Sequence, residues 1–322
     1  MDSSLAQALR GRDFLCLRDL SNEELALVLE VAADLKARQK RGVPHRWLAG
    51  KTLGMIFQKA STRTRVSFEV GMYQLGGQAL FLSARDLQLG RGETIADTAR
   101  VLSRYLDGLM IRTYAQEEAE ELARYASVPV INGLTDLLHP CQALADLFTI
   151  KERLGRLAGV KLAYLGDGNN VAHSLLLGGA KVGLDVWVAS PPDYAPRPEI
   201  VAAAEELAAA TGARITVTSD PAVAAADADV LYTDVWASMG QEEEQEIRRR
   251  VLAPYRLDSS IVALAKPDVL VMHCLPAHRG EEISDAVIDG PHAVVFDQAE
   301  NRLHTQKALL LLLLYEGRSN PA

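Results

Sequence analysis

"TLGMIFQKASTRTRVSFEV", residues 52–70, joins an apolar strand-like run to a helical pattern through a turn crowded with hydrogen-bond donors. The run "TLGMIF" reads as a strand covered on both faces. After it, apolar residues recur at helical spacing in two sets, Val66, Val70, Tyr73 and Phe68, Met72, Leu75, which predicts a firmly buried helix. Between strand and helix lie three hydroxyls, Ser61, Thr62 and Thr64, and two guanidiniums, Arg63 and Arg65. Ser61 suits the N-cap. The first turn of such a helix has backbone N–H groups without intrahelical partners, and its dipole adds partial positive charge. Hydroxyls, amides and the planar donors of Arg63 can together wrap a phosphate-like anion. It is no P-loop, since no GxxxxGK is present. A capped helix with two solvated arginines is the bland alternative. Arg112, closing "DGLMIR" (107–112), is a second cation at a strand terminus, with a plain surface charge as its alternative.

The same alternation fills the chain. Strand-like runs recur at "QALFL" (78–82), "DGLMIR" (107–112) and "VPVING" (128–133), with amphipathic stretches such as "TIADTARVLSRYL" (94–106) between them. The scheme restarts with "VKLAYLG" (160–166), "LDVWVAS" (184–190), "RITVTS" (214–219), "ADVLYTD" (228–234), "DVLVMHC" (268–274) and "HAVVF" (292–296). Apolar strands separated by helices predict an α/β protein of two domains, each an open parallel sheet flanked by helices. The boundary is expected within or just after "CQALADLFTIKERLG" (141–155), dividing the chain into 1–150 and 151–302. Open sheets of this kind hold ligands at the carboxyl ends of their strands.

Composition narrows the partners. The chain has 322 residues, 48% hydrophobic and 24% charged, an ordinary globular balance. A net charge of −8 argues against a nucleic-acid partner held by bulk electrostatics. Three separated cysteines (Cys16, Cys141, Cys274) form neither a disulfide ladder nor a CxxC pair, which points to a reducing cytoplasm. The start, "MDSSLAQALRGRDFL", lacks a signal-peptide pattern. "ALLLLLLY" (308–315) falls far short of the ~20 residues of a membrane span and reads as a buried helix. No membrane partner is expected.

Four further stretches lie at strand ends: "HPCQALADL" (139–147), "DGNN" (167–170), "DVWASMG" (234–240) and "HCLPAHRGEEI" (273–283). With "STRTR", and in this order, they resemble the transcarbamoylase family, in its ornithine-using branch. The resemblance runs from "FQKASTRTR" to "ENRLHTQKA". It implies a carbamoyl-phosphate-binding domain first, an ornithine-binding domain second, and a C-terminal helix, about 303–322, packing back on the first. It also implies a homotrimer, or a multiple of trimers, with sites at subunit boundaries. Carried over by residue, carbamoyl phosphate would meet Ser61, Thr62, Arg63, Thr64, Arg112, His139, Pro140, Cys141 and Gln142. Gln88 would reach it from a neighbouring subunit, and Cys274, Leu275 and Arg302 would close around the reacting centre. Ornithine would meet Asn170, Asp234, Ser238 and Met239. Arg112, His139, Cys274 and Arg302 are the implied catalytic group.

The implied reaction turns carbamoyl phosphate and L-ornithine into L-citrulline and phosphate. Carbamoyl phosphate is an activated acyl group, so the chemistry asks for no covalent nucleophile, metal or cofactor. The site must hold a dianion, polarise a carbonyl and receive a neutral amine. Such an amine has a pKa near ~10.4, so at pH 7 about one molecule in 2,500 is neutral. Clustered cations favour that form, and the departing phosphate can take its proton. Cys274 is the least defined of these residues, a small apolar residue at a strand end being its alternative.

Other readings explain less. "GDGNNV" suggests a dinucleotide fingerprint, but Val171 stands at the third glycine position and "LDVWVAS" ends in Ser190 rather than an acid. A non-catalytic anion sensor would not need His139 or Arg302. Aspartate as acceptor would bring a second carboxylate, for which the head-group residues offer no cation. "EEEQEIRRR" (242–250) reads as a solvated, mobile segment. His45, His173, His278, His292 and His304 lack metal-ligand spacing.

Overall fold

In a computed structural model describing residues 3–89, 92–237 and 244–316, the opening apolar run is strand β1 (Thr52–Phe57), whose residues after Thr52 are all buried. It lies inside a four-stranded parallel sheet with β2 (Gln78–Ser83), β3 (Gly108–Arg112) and β4 (Val130–Leu134), in the order β2-β1-β3-β4. From β1 the chain moves outward to β2, then returns to lay β3 on the other side of β1. The order therefore reverses between β1 and β3. Such a switch point leaves a crevice outside the carboxyl ends of the two strands. Phe57 and Arg112 are register partners there, so the donor-rich turn and Arg112 emerge side by side.

Met1–Phe148 and Asn301–Ala322 form one compact unit, and Thr149–Glu300 the other. The second unit holds β5 (Lys161–Leu165), β6 (Asp185–Ala189), β7 (Ile215–Thr218), β8 (Val230–Thr233) and β9 (Leu270–His273), all parallel in the order β7-β6-β5-β8-β9. Its switch point lies between β5 and β8, where Leu165 faces Thr233. Both unit boundaries fall inside helices, Pro140–Leu154 and Val295–Leu314.

Four local expectations are corrected. The helix after the anion turn, Thr62–Gln74, buries only one of its two apolar stripes. Phe68, Met72 and Leu75 are fully buried, whereas Val66 and Tyr73 are 49% and 79% exposed. Positions 66 and 68 point about 200° apart on a helix, so a single-sided core takes one stripe. "HAVVF" is not a strand: Ala293 makes one parallel bridge to Val271, and the chain then enters a helix at Val295. That last helix spans Val295–Leu314, beginning before the expected residue 303. Finally, "EEEQEIRRR" contains a helix, Gln245–Leu252, that buries Arg248 rather than leaving a wholly solvated segment.

Among the described residues, no helix is long and apolar enough to cross a membrane. Ala308–Leu314 are instead buried in the core of the first unit. Beside them the buried Lys307 donates to Gln39 and Gln74, and burial lowers its ammonium to about 8.

Candidate active site

Ser61 caps the Thr62–Gln74 helix, its hydroxyl accepting the Thr64 N–H at 3.1 Å. The two arginines of the turn then part company. Arg65 turns to solvent, donating to Glu69 at 3.0 Å and covering the Phe81 ring at 3.8 Å. Arg63 is half-buried, and its charge, with those of Arg302 and Arg112, acts on His139. His139 is buried immediately before the Pro140–Leu154 helix. Burial first, then the positive charges of Arg302, Arg112 and Arg63, hold its imidazole well below the usual histidine range. It is therefore neutral at pH 7, with one ring N–H to donate.

Arg302 comes from the last helix and is nearly fully buried. Its Nη1 donates to Gln142 Oε1 at 2.7 Å and its Nη2 to Thr64 Oγ1 at 3.3 Å. Gln142 in turn donates its amide to Asp146 at 2.8 Å. Gln142 thus has one of its two amide N–H groups and one acceptor position of its oxygen engaged by protein, leaving one N–H and one oxygen lone pair that could face a ligand. Pro140 opens its helix. The Cys141 thiol points to the Asn132 carbonyl at 3.3 Å, and burial pushes it up to about 12, so it is no nucleophile. Thr62 is exposed at the first helical position, and Gln88 is exposed in the connection after β2.

In the second unit the switch point carries an Asp234 cluster. Asp234 follows β8 and is buried. One oxygen accepts the Val235 N–H and the Cys274 thiol, both at 2.8 Å; the other accepts the Asn169 amide at 2.8 Å. Cys274 is thus polar-bonded rather than a purely apolar filler. Asn169 caps the Asn170–Val182 helix, its oxygen accepting the Val171 N–H at 2.9 Å, and Asn170 sits half-buried at the first turn. Asn169 was missed in the sequence, although an Asn just before an apolar helical run is a recognisable cap signal. Arg248 was missed too. It donates to Asp167 at 2.9 Å and to the Trp236 carbonyl at 3.1 Å, tying its helix to the strand-end turns. Ser238 and Met239 lie outside the described residues.

Leu275, next in "HCLP", has φ 56° and precedes a cis Pro276. Its N–H donates to His273 Nδ1 at 2.8 Å, so His273 carries its proton on Nε2, which faces Glu282 at 3.0 Å. Among the described residues, two groups bring metal-ligand atoms together: Asp234, His273, Cys274, and His278, Glu281, Glu282. In the first, the Nδ1 lone pair is already taken by Leu275, and Asp234 and Cys274 are each other's partners.

Both units are α/β, and the first brings Arg63, Arg112 and Arg302 to act on a neutral, buried His139. The chain belongs to the aspartate/ornithine carbamoyltransferase family. The family's carbamoyl-P binding domain matches residues 12–152, and its Asp/Orn binding domain matches residues 158–313. The chain is 60% identical over 307 residues to the ornithine carbamoyltransferase of Thermococcus kodakarensis, covering 95% of this chain and 98% of that one. It is also 60% identical over 307 residues to the anabolic ornithine carbamoyltransferase of Pyrococcus furiosus, covering 95% and 98%. A solved structure of ornithine carbamoyltransferase from P. furiosus superposes with a TM-score of 0.94 at 59% identity, covering 96% of this chain and 99% of that one.

Proposed function

We propose that this protein transfers the carbamoyl group of carbamoyl phosphate to the side-chain amine of L-ornithine, forming L-citrulline and phosphate. The observation that carries this reading is the neutral His139 set among Arg63, Arg112 and Arg302. Arg63, the Ser61 and Thr62 hydroxyls and the first-turn amides hold the phosphate group. His139, Arg112, Arg302 and Thr64 direct donors at the carbonyl oxygen, where negative charge grows as the tetrahedral species forms. The amine nitrogen bonds to the carbamoyl carbon, the carbon–oxygen bond to phosphate breaks, and phosphate takes the amine's proton. Gln142, Pro140 and Cys141 and the Cys274–Leu275 backbone frame the carbamoyl NH2. Asn170, Asp234, Ser238 and Met239 hold the amino-acid head group.

The anabolic label of the Pyrococcus furiosus relative supports the citrulline-forming direction, as in arginine biosynthesis. The working form is a cytoplasmic homotrimer, or a multiple of trimers, in which Gln88 completes the carbamoyl-phosphate site of a neighbouring subunit. No cofactor enters the chemistry. A colorimetric citrulline assay with ornithine, N-acetylornithine, putrescine and aspartate as acceptors tests the reading. Ornithine should be the preferred acceptor by a wide margin; turnover with aspartate but not ornithine would overturn the choice of substrate.

A further inference from the structure

Four residues after Arg302, one turn along the same helix, stands Gln306, to which neither the sequence pattern nor the reaction assigns a part. It is fully buried. With its amide oxygen turned to the guanidinium, it accepts Arg302 Nε at 3.1 Å and Nη2 at 2.9 Å. Its amide nitrogen then donates to Ser67 Oγ at 2.6 Å. Ser67 passes the connection on, its hydroxyl donating to the Arg63 carbonyl at 2.5 Å. Gln142 and Thr64 contact the guanidinium through Nη1 and Nη2.

The chemistry of these three acceptors is what matters. Gln306, Gln142 and Thr64 are all neutral. A guanidinium is a planar fork whose direction is set by the acceptors along its edges. A carboxylate at position 306 would fix that plane equally well but would cancel the charge it presents. A glutamine fixes the plane and leaves the charge in force. Preorganised charge of this kind stabilises a developing oxyanion without reorganising during the reaction.

We propose that Gln306 is a positioning residue for carbamoyl transfer: it holds the Arg302 guanidinium with a neutral acceptor and links it, through Ser67, to the backbone of the anion-binding turn. This rests on the reading that Arg302 acts on the carbonyl of carbamoyl phosphate. Two variants separate the parts of the argument. Gln306→Met keeps the length and removes the acceptor, whereas Gln306→Glu keeps an acceptor and adds a negative charge. Each is measured for kcat, for KM of carbamoyl phosphate and for Tm, alone and in an Arg302→Met background.

Gln306→Met should lower kcat about 10- to 100-fold, the size seen when a partner that orients a metal-binding side chain is removed. Its KM for carbamoyl phosphate should change far less. Gln306→Glu should also lose kcat even though its Tm stays at or above that of the unmodified protein. A merely structural glutamine would not produce that combination. In the Arg302→Met background neither change should lower kcat further. The NMR titration of His139, followed without substrate, should move upward in Gln306→Glu, because the charge of Arg302 is then compensated. Near-normal kcat in both variants, or losses that multiply with Arg302→Met, would overturn the proposal. An unmodified protein that forms no citrulline would sink the functional reading instead. In that case an unmoved His139 titration in Gln306→Glu would still count against the contact proposed here.

Discussion

Arg63 and Arg65 are two residues apart, yet of the two it is Arg63 whose charge acts on the buried His139, because successive helical positions point about 100° apart and Arg65 finds Glu69 and Phe81 instead. That arginine and the buried histidine should then differ in kinetics. In the proposed mechanism Arg63 grips a phosphate that is charged in both ground and transition states, so Arg63→Ala should mainly raise KM for carbamoyl phosphate. His139 is proposed to face charge that develops only in the reaction, so His139→Ala should lower kcat, by ~100- to 1,000-fold for a lost oxyanion donor. Steady-state kinetics with carbamoyl phosphate varied at saturating ornithine would show the split; one shared signature would contradict it. At this scale the sequence displays the groups that carry charge but hides what holds them. Arg302 meets Gln142 across 160 positions and Asn169 meets Asp234 across 65. No local periodicity reports contacts at such separations. Asn169 and Gln306 escaped notice because a neutral amide in a helix or at a cap looks ordinary until its partner is seen.

At the scale of elements, the β1 run could be read residue for residue, because a strand buried on both faces is uninterrupted apolar sequence. "HAVVF" has the same look and is not a strand; a short apolar run entering a buried helix cannot be told from one by composition. The helix Gln245–Leu252 was disguised by its charge, since five of its eight residues are ionisable or amide side chains, yet one of its arginines is buried. That arginine has a measurable consequence. Burial raises Asp167 from 3.8 to about 6, and Arg248 opposes the rise. A folded value above the unfolded one means that folding favours the protonated acid. Stability from this group is therefore fully present below about pH 4 and lost as pH rises through about 6, by on the order of 3 kcal/mol. Removing Arg248 leaves the buried carboxylate uncompensated, which costs ~3–5 kcal/mol in comparable pairs. Arg248→Met should accordingly lose much more stability at pH 8 than at pH 5, when denaturation is followed at both. An equal loss at the two values would show that Asp167 is not the cause. The turn it braces is also tight. A Cβ on Gly168 would lie 2.3 Å from the Pro196 nitrogen and 2.6 Å from the Ala195 carbonyl carbon, both backbone atoms. Gly168→Ala should destabilise the protein by ~1–3 kcal/mol or more and lower its Tm, because backbone cannot yield as a side-chain tip can. A Tm unchanged from that of the unmodified protein would show that the turn has room.

For the whole molecule, two parallel sheets were legible because strand runs alternate with helices, and the switch points follow from strand order and lie where both clusters of candidate side chains gather. Assembly is different, since a sequence shows no other copy of itself. The outer stripe of the Thr62–Gln74 helix is left exposed by the described residues, with Tyr73 at 79% and Val66 at 49% exposure, which supports the proposed homo-oligomer. Gln88, exposed beyond β2, gives that proposal a functional test. If each carbamoyl-phosphate site takes its arginine turn from one chain and Gln88 from the next, Arg63→Ala and Gln88→Ala proteins should both be badly impaired alone. Dissociated and reassembled in equal amounts, a site draws an intact Arg63 half the time and an intact Gln88 half the time. Random mixing around a closed ring should then make about one quarter of all sites native. If both residues came from one chain, every site in every mixture would lack one of them, and activity would stay at the average of the two mutants. Hybrid rings verified by native mass spectrometry, and still no more active than that average, would rule out a site shared between neighbours.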